Sequence, residues 1–289
     1  MNVDPKISFG YADVGEVKLH YATAGNGEPL VLLLHGFPEF WYSWRHQLVG
    51  LSDEYTVVAP DLRGYNLSDR PTDISSYAVE KLVADVAGLI SHFGRRDGAI
   101  VGHDWGAAIA WAFARQHPEL TRKLAVLQVP PFEVWKRNIT VRQVLASWYM
   151  FYFQIPWLPE WTGRRDDFAL LARTLKGTSA VKVFTDEDIG VYKESWRTSG
   201  LTGPMNYYRA NILGGLFRHQ RDHETPPVTA PTLFVYGEKD HAILPATVRN
   251  VGRAVAGTYT EHRIPGSAHW VQQEAADEVT RILRDFLAQ

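Results

Sequence analysis

The sequence predicts an α/β fold, a mostly parallel doubly wound sheet with a helical cap inserted between two of its strands. Residues 30–34 and 55–59 are continuous apolar runs of strand length without alternation, which suits strands buried on both faces of a parallel sheet. Such runs alternate with helix-like segments through the first half, the β-α-β-α order of a doubly wound sheet. From Phe132 to Asp222 the runs vanish and aromatics crowd in, Trp135, Trp148, Phe151 and Trp161 among them, before residues 232–236 resume the buried-strand pattern. The expected division is a core of residues 1–131 and 223–289 around a cap of residues 132–222.

Each element has its own signal. After the strands at 30–34 and 55–59, Val79, Leu82, Val83, Val86 and Ile90 recur at helical spacing up to Phe93. Ser76 is the expected N-cap of that helix and Gly94 its stop. Residues 98–101 are short, apolar and β-branched, and 107–114 read as a helix that ends before Pro118. Residues 124–127 make the next strand, which Pro130-Pro131 breaks. Within the cap, 140–153 and 166–175 look helical. Pro226-Pro227 and Pro231 mark the return to the core, followed by strands at 232–236 and 258–264 and a closing helix from about 272 to 287. Gly25-Asn26-Gly27 is a turn signal, not a phosphate loop.

Composition narrows the function classes. A formal net charge of -2 with no long Lys/Arg run gives no nucleic-acid footprint and no polybasic membrane patch. No apolar stretch approaches the ~18 residues of a membrane span, and the start has neither a basic nor an apolar leader segment. The absence of cysteine removes disulfides, thiolate metal sites and a thiol nucleophile together. The expectation is a cytoplasmic protein without membrane or nucleic-acid partners, as a monomer or homodimer.

Gly102-His103-Asp104-Trp105-Gly106 has the frame of a nucleophile elbow, in which two glycines make room for a strained central residue between strand and helix. Here that residue is a carboxylate. Aspartate attacks sp3 carbon and leaves an ester, so the electrophile is an epoxide or alkyl halide rather than a carboxylic ester. The ester must then be hydrolysed, which needs a base for water, a group that orients the base, and oxyanion donors. In the hydrolases built on such an elbow the chain order is nucleophile, acid, histidine. Asp240, in Tyr236-Gly237-Glu238-Lys239-Asp240, and His269, in Gly266-Ser267-Ala268-His269-Trp270, follow strands in that order. The backbone N–H groups of Trp105 and of Phe37, in His35-Gly36-Phe37-Pro38, are the expected oxyanion donors.

With these motifs the chain resembles the α/β-hydrolase-fold epoxide hydrolases over nearly its full length. His35-Gly36-Phe37-Pro38-Glu39-Phe40-Trp41 is similar to the family's oxyanion loop, and Asp61-Leu62-Arg63-Gly64-Tyr65 to its following turn. Asn66 departs from the glycine usual after that turn, a change expected to alter the turn and not the chemistry. Tyr152-Phe153-Gln154 and Asn206-Tyr207-Tyr208-Arg209 resemble the two cap segments that carry ring-opening tyrosines. The resemblance puts those on Tyr152 and Tyr208, with Tyr149 and Tyr207 as the neighbouring alternatives, and implies that both phenols protonate the epoxide oxygen. Backside attack on an epoxide needs an acid opposite the nucleophile, and a cap roofing the sheet can supply one.

The expected reaction converts an apolar epoxide and water into a vicinal diol through an aspartyl ester, with no cofactor and no metal. Glu133 is the fallback acid, and His35 and His103 read as braces of the oxyanion loop and elbow. His219 and His223 have a spacing that could ligate a metal, but their acidic neighbours read as an exposed hinge. The competing functions are a haloalkane dehalogenase and a non-catalytic ligand-binding protein on the same fold. The first would leave the cap tyrosines unexplained and commonly has Asn where Phe37 stands. The second is expected to have lost a member of the triad.

Overall fold

The computed structural model describes residues 3–217 and 225–289. Its strands are β1 (Ser8–Asp13), β2 (Lys18–Ala24), β3 (Leu30–Leu34), β4 (Thr56–Pro60), β5 (Gly98–His103), β6 (Thr121–Leu127), β7 (Thr232–Gly237) and β8 (Tyr259–Ile264). They form one sheet in the order β1-β2-β4-β3-β5-β6-β7-β8. Pairing is parallel from β4 to β8 and antiparallel only at β1–β2 and β2–β4. Every residue of β3, β4, β5 and β7 is buried, the reason these strands read as unbroken apolar runs. Helices α1 (Arg45–Leu51), α2 (Val79–His92) and α3 (Trp105–Gln116) follow β3, β4 and β5 in turn.

The β1–β2 hairpin has no counterpart in the sequence expectations. Its strands carry small and polar residues, SFGYAD and KLHYATA, and only β2 has a substantially buried face. The start of α2 also differs. Ile74–Tyr77 forms a separate 3-10 turn and Ser76 does not cap the helix, which begins at Val79. The cap domain supplies the missing partner: Asn211 accepts the Val79 N–H through Oδ1 at 2.9 Å and donates Nδ2 to the Tyr77 carbonyl. Gly94 follows the helix at φ 62°, as a stop residue requires.

Between β6 and β7 lie α4 (Phe132–Asn138), α5 (Val141–Ala146), α6 (Trp148–Tyr152), α7 (Leu158–Gly177), α8 (Asp186–Ser199) and α9 (Thr202–Phe217). The expected second cap boundary, between 222 and 223, lies outside the described residues. The helix expected over 140–153 divides at Ser147, and α7 is interrupted at Arg165–Phe168. Gln143, buried on α5, donates to Ser147 Oγ and to the Ala242 carbonyl and accepts the Leu244 N–H. It thereby ties α5 to the loop after β7. Further anchors join cap and core: Trp196 Nε1 donates to the Pro38 carbonyl at 2.7 Å, and Tyr207 Oη to the Arg63 carbonyl at 2.9 Å. The chain closes with α10 (Val271–Glu274) and α11 (Ala276–Ala288) rather than one helix. Glu274 binds the Ala268, Trp270 and Ala180 N–H groups and locks the turn that precedes the break.

Candidate active site

The site forms where the parallel strands end and the cap covers them. Asp104 joins β5 to α3 at φ 51° and ψ -117°, a conformation that costs a non-glycine residue on the order of 1–3 kcal/mol. The surroundings hold it there. A Cβ at Gly106 would collide with the Leu34 carbonyl oxygen, and one at Gly36 with the Asp104 side chain itself. The close approach of Gly36 lets the Phe37 N–H donate to Asp104 Oδ1 at 2.8 Å. Trp105 opens α3, where a backbone N–H has no partner within the helix. Of the two expected oxyanion donors, the Phe37 N–H is bonded to Asp104 and the Trp105 N–H is the next along the chain from it.

His269 follows β8 and Asp240 follows β7. His269 Nδ1 donates to Asp240 Oδ2 at 2.8 Å, and Nε2 lies 3.6 Å from Asp104 Oδ2. The Asp240 carboxylate is buried and saturated with donors. Oδ1 accepts the Ala242 and Ile243 N–H groups, and Oδ2 accepts Gln128 Nε2 as well as the imidazole. Burial alone would lower the His269 pKa, but the Asp240 and Asp104 carboxylates outweigh it and hold it well above the ordinary value. Burial pushes the Asp104 carboxyl up, but His269, His103 and the Phe37 N–H together hold it below the usual range. The resting pair is thus imidazolium and carboxylate.

Three residues brace this centre. His103 Nε2–H donates to the His269 carbonyl at 2.8 Å, and its Nδ1 lies 3.0 Å from the buried Glu39 carboxylate. His35 Nε2 accepts the Leu62 N–H at 3.0 Å, so its proton is on Nδ1 and donates to the Gly36 carbonyl. Gln128 is the residue that sequence reasoning missed. At φ 70°, its amide nitrogen donates to Asp240 Oδ2 at 2.6 Å and to the Ala268 carbonyl at 2.9 Å, while its oxygen accepts the Gly237 N–H. The available signal was a polar residue ending an apolar strand, just before Pro130-Pro131. Glu133, the fallback acid, instead forms an ion pair with Arg115 on α3.

The cap brings two phenols over Asp104. Tyr208 is buried with its ring edge-on to Trp105 and Phe37, at centroid distances of 5.1 and 5.6 Å, and it lines the same cavity as Asp104. The second is Tyr149, 6.0 Å from the Tyr208 ring. Burial and then the nearby Asp104 charge push both phenols far above the ordinary pKa, with Asp240 also acting on Tyr149. The structure places Tyr152 away from this pair. Its hydroxyl lies 2.5 Å from Thr162 Oγ1 at the junction with α7, and its ring packs on the exposed Trp148. Tyr149 and Tyr152 share the single turn of α6, where three residues leave two side chains about 60° apart around the axis. The Asp104 charge acts on Tyr149, whose ring also meets that of Tyr208. Tyr207 is committed to the Arg63 carbonyl and serves as an anchor.

The cavity above Asp104 has a volume of about 560 Å³, room for a substrate of drug-like size. Its walls are mainly apolar, with Trp105, Trp111, Phe132, Met150, Phe151 and Ile243 among them. No group of three or more His, Cys, Asp or Glu side chains suited to a metal occurs among the described residues; His219 and His223 lie outside them. Asn66 adopts φ 41° and donates to Asp61 Oδ2 at 2.8 Å. Chemically, the arrangement offers a carboxylate with an oriented imidazole beside it, a backbone donor on that carboxylate, and two phenols held neutral, of which Tyr208 shares the apolar cavity with Asp104.

The family described as the alpha/beta hydrolase fold matches residues 29–276. Epoxide hydrolase 1 of Caenorhabditis elegans is 37% identical over 287 residues, covering 96% of this chain and 69% of the relative. Epoxide hydrolase A of Mycobacterium tuberculosis is 31% identical, with 95% of each chain covered. The crystal structure of an epoxide hydrolase from Bacillus megaterium with an inhibitor superposes with a TM-score of 0.86 at 31% identity, covering 97% of this chain and all of the other.

Proposed function

The chain belongs to the epoxide hydrolases of the α/β-hydrolase fold, and from that premise we propose that Asp104, Asp240, His269, Tyr149 and Tyr208 carry its reaction. The protein is a hydrolase that adds water to an epoxide to give a vicinal diol through an aspartyl ester. Asp104 Oδ2, the oxygen not held by the Phe37 N–H, attacks a ring carbon. The carbon–oxygen bond breaks, and the emerging alkoxide takes a proton from Tyr149 or Tyr208. The resting imidazolium of His269 makes good that proton and becomes the neutral base the second step needs.

Esterified Asp104 no longer carries a charge. Its loss removes one of the two carboxylates that held the His269 proton, which prepares His269 to act as base. Asp240 keeps the imidazole oriented while Nε2 deprotonates a water, and the hydroxide adds to Asp104 Cγ. Negative charge then develops on Oδ1, where the Phe37 and Trp105 N–H groups stabilise it. Collapse expels the diol oxygen, which is protonated as the carboxylate and imidazolium return. The observation that carries this reading is the spacing of His269, 2.8 Å from Asp240 and 3.6 Å from Asp104, beneath two phenols whose protons are held. The apolar walls support a bulky apolar epoxide as substrate, and the lack of cysteine supports a reducing cytoplasmic setting.

The test is His269→Gln, exposed separately to styrene oxide and a 1-haloalkane, with the intact mass recorded. The expected result is a gain equal to the whole epoxide, mapped to Asp104. A gain of the alkyl group alone, only in the second tube, would make the protein a dehalogenase.

A further inference from the structure

The cap carries an apolar surface that the reaction does not use. Val141 and Leu145 are 78% and 68% exposed, their spacing of four residues setting them on one side of α5, and Trp148 at the start of α6 is 63% exposed. Phe151 and Ile155 continue the stripe. Trp157 and Trp161, 70% and 52% exposed, extend it at the start of α7. The two parts are stitched together: Trp148 packs on Tyr152 at 5.8 Å, and the Tyr152 hydroxyl meets Thr162, the neighbour of Trp161. Isolated exposed apolar residues are ordinary, but a contiguous row of aliphatic and indole side chains marks a contact surface.

The charges around it identify the partner. Arg165 lies over the Trp161 ring at 4.9 Å, and Lys136 on α4 and Arg142 on α5, the latter next in sequence to Val141, are exposed. The neighbouring acids are mostly engaged elsewhere, Glu133 by Arg115, Glu160 by Arg209 and Asp167 by Lys193, with Asp166 the exception. Because these basic residues come from separate helices, no polybasic run exists in the sequence. Indole and aliphatic side chains rimmed by Arg and Lys are the composition of a surface that lies in a lipid interface and meets anionic headgroups. A second copy of this chain fits less well. A two-fold interface would set the patch against itself, and the Arg142 and Arg165 rims would meet with like charge.

We infer that the outer face of α5, α6 and the start of α7 docks peripherally on an anionic lipid bilayer. Val144 on α5 and Phe151 on α6 are exposed and also line the cavity that holds Asp104, so the docked helices form part of its wall. Among the described residues no helix is long and apolar enough to cross a membrane, and docking needs none. An apolar epoxide dissolves preferentially in the bilayer, so docking places the cavity beside its reservoir. This delivery role rests on the function proposed above; the docking does not.

Co-sedimentation of the full chain with vesicles tests it, using phosphatidylcholine alone and phosphatidylcholine with roughly a third phosphatidylglycerol, at low and high salt. Wild type is expected on the mixed vesicles at low salt, with high salt or neutral vesicles weakening binding. Leu145→Ser/Trp148→Ser should cut partition about tenfold or more while leaving turnover of dissolved styrene oxide unchanged. Arg142→Glu/Arg165→Glu should weaken binding on the mixed vesicles only. Equal sedimentation of wild type and the Leu145/Trp148 variant, or none by either, overturns the inference. So does light scattering that finds a lipid-free dimer which the same variant splits. Because the vesicle measurement needs no epoxide, its failure and failure of the catalytic reading are separate results.

Discussion

The backbone N–H of Phe37 holds Oδ1 of Asp104 at 2.8 Å, which turns Oδ2 toward His269 Nε2 at 3.6 Å. In the proposed reaction the two carboxylate oxygens therefore have different work: Oδ2 attacks, and Oδ1 becomes the ester carbonyl. Water adds to Asp104 Cγ, so repeated turnover in heavy-oxygen water should place label in the Asp104 carboxylate, read by peptide mass. In a single turnover the oxygen entering the diol should instead come from unlabelled Asp104. Label passing directly into the diol in that single turnover would mean water attacks the epoxide itself. Asp104→Ala should lower turnover by about 10⁴-fold or more.

The two steps should separate with pH. Asp104 has its pKa lowered, so it is ionised throughout the neutral range, and alkylation should weaken only below the usual carboxylate range. His269 has its pKa raised, so it is charged in the resting enzyme, and the hydrolytic step needs it neutral. Acidification returns the proton to His269 in the ester form and slows hydrolysis while alkylation continues. Rapid-quench mass measurements should therefore find more ester as pH falls from neutral. On the alkaline side the raised phenol pKa values keep Tyr149 and Tyr208 protonated, so kcat/KM should stay level where an ordinary tyrosine would ionise. An alkaline fall at an ordinary tyrosine pKa would contradict their assignment.

Tyr149→Phe and Tyr208→Phe should each slow alkylation by about 10- to 100-fold, since one phenol still donates, and the double variant should lose about 10³-fold or more. Tyr152→Phe should leave alkylation near wild type, because its hydroxyl is spent on Thr162. Stopped-flow tryptophan fluorescence reads the step directly. Loss at Tyr152 equal to that at Tyr149 would restore the sequence expectation.

The elbow, Asp240 and His269 were legible because their chemistry demands fixed residue types at strand ends, and buried parallel strands write themselves as apolar runs. The β1–β2 hairpin was not, since an edge built from Gly, Ala, Ser and Tyr carries no such run. The start of α2 was misplaced for a different reason. Its cap comes from Asn211, more than a hundred residues away, and no local pattern records that. The proposed choice of Tyr149 over Tyr152 rests on which of two residues in one short helix lies near Tyr208, which motif matching does not record.

Gln128 offers the sharpest test of how the acid loop and the base loop are held together. Its side chain touches Asp240, the carbonyl before His269, and the Gly237 N–H at once, yet it lines no part of the cavity. It is a positioning residue. Gln128→Leu preserves approximate volume but leaves the buried Gly237 N–H without its partner and Asp240 Oδ2 short of one donor, at a cost of about 1–3 kcal/mol. Denaturant unfolding should register that loss. A merely structural defect would scale both chemical steps through the folded fraction. Misorientation of His269 should instead spare alkylation, which does not use the imidazole as base, and slow hydrolysis of the ester. The expected signature is a burst of Asp104 ester at near wild-type rate followed by slow diol release, and equal slowing of both phases would reduce Gln128 to a packing residue.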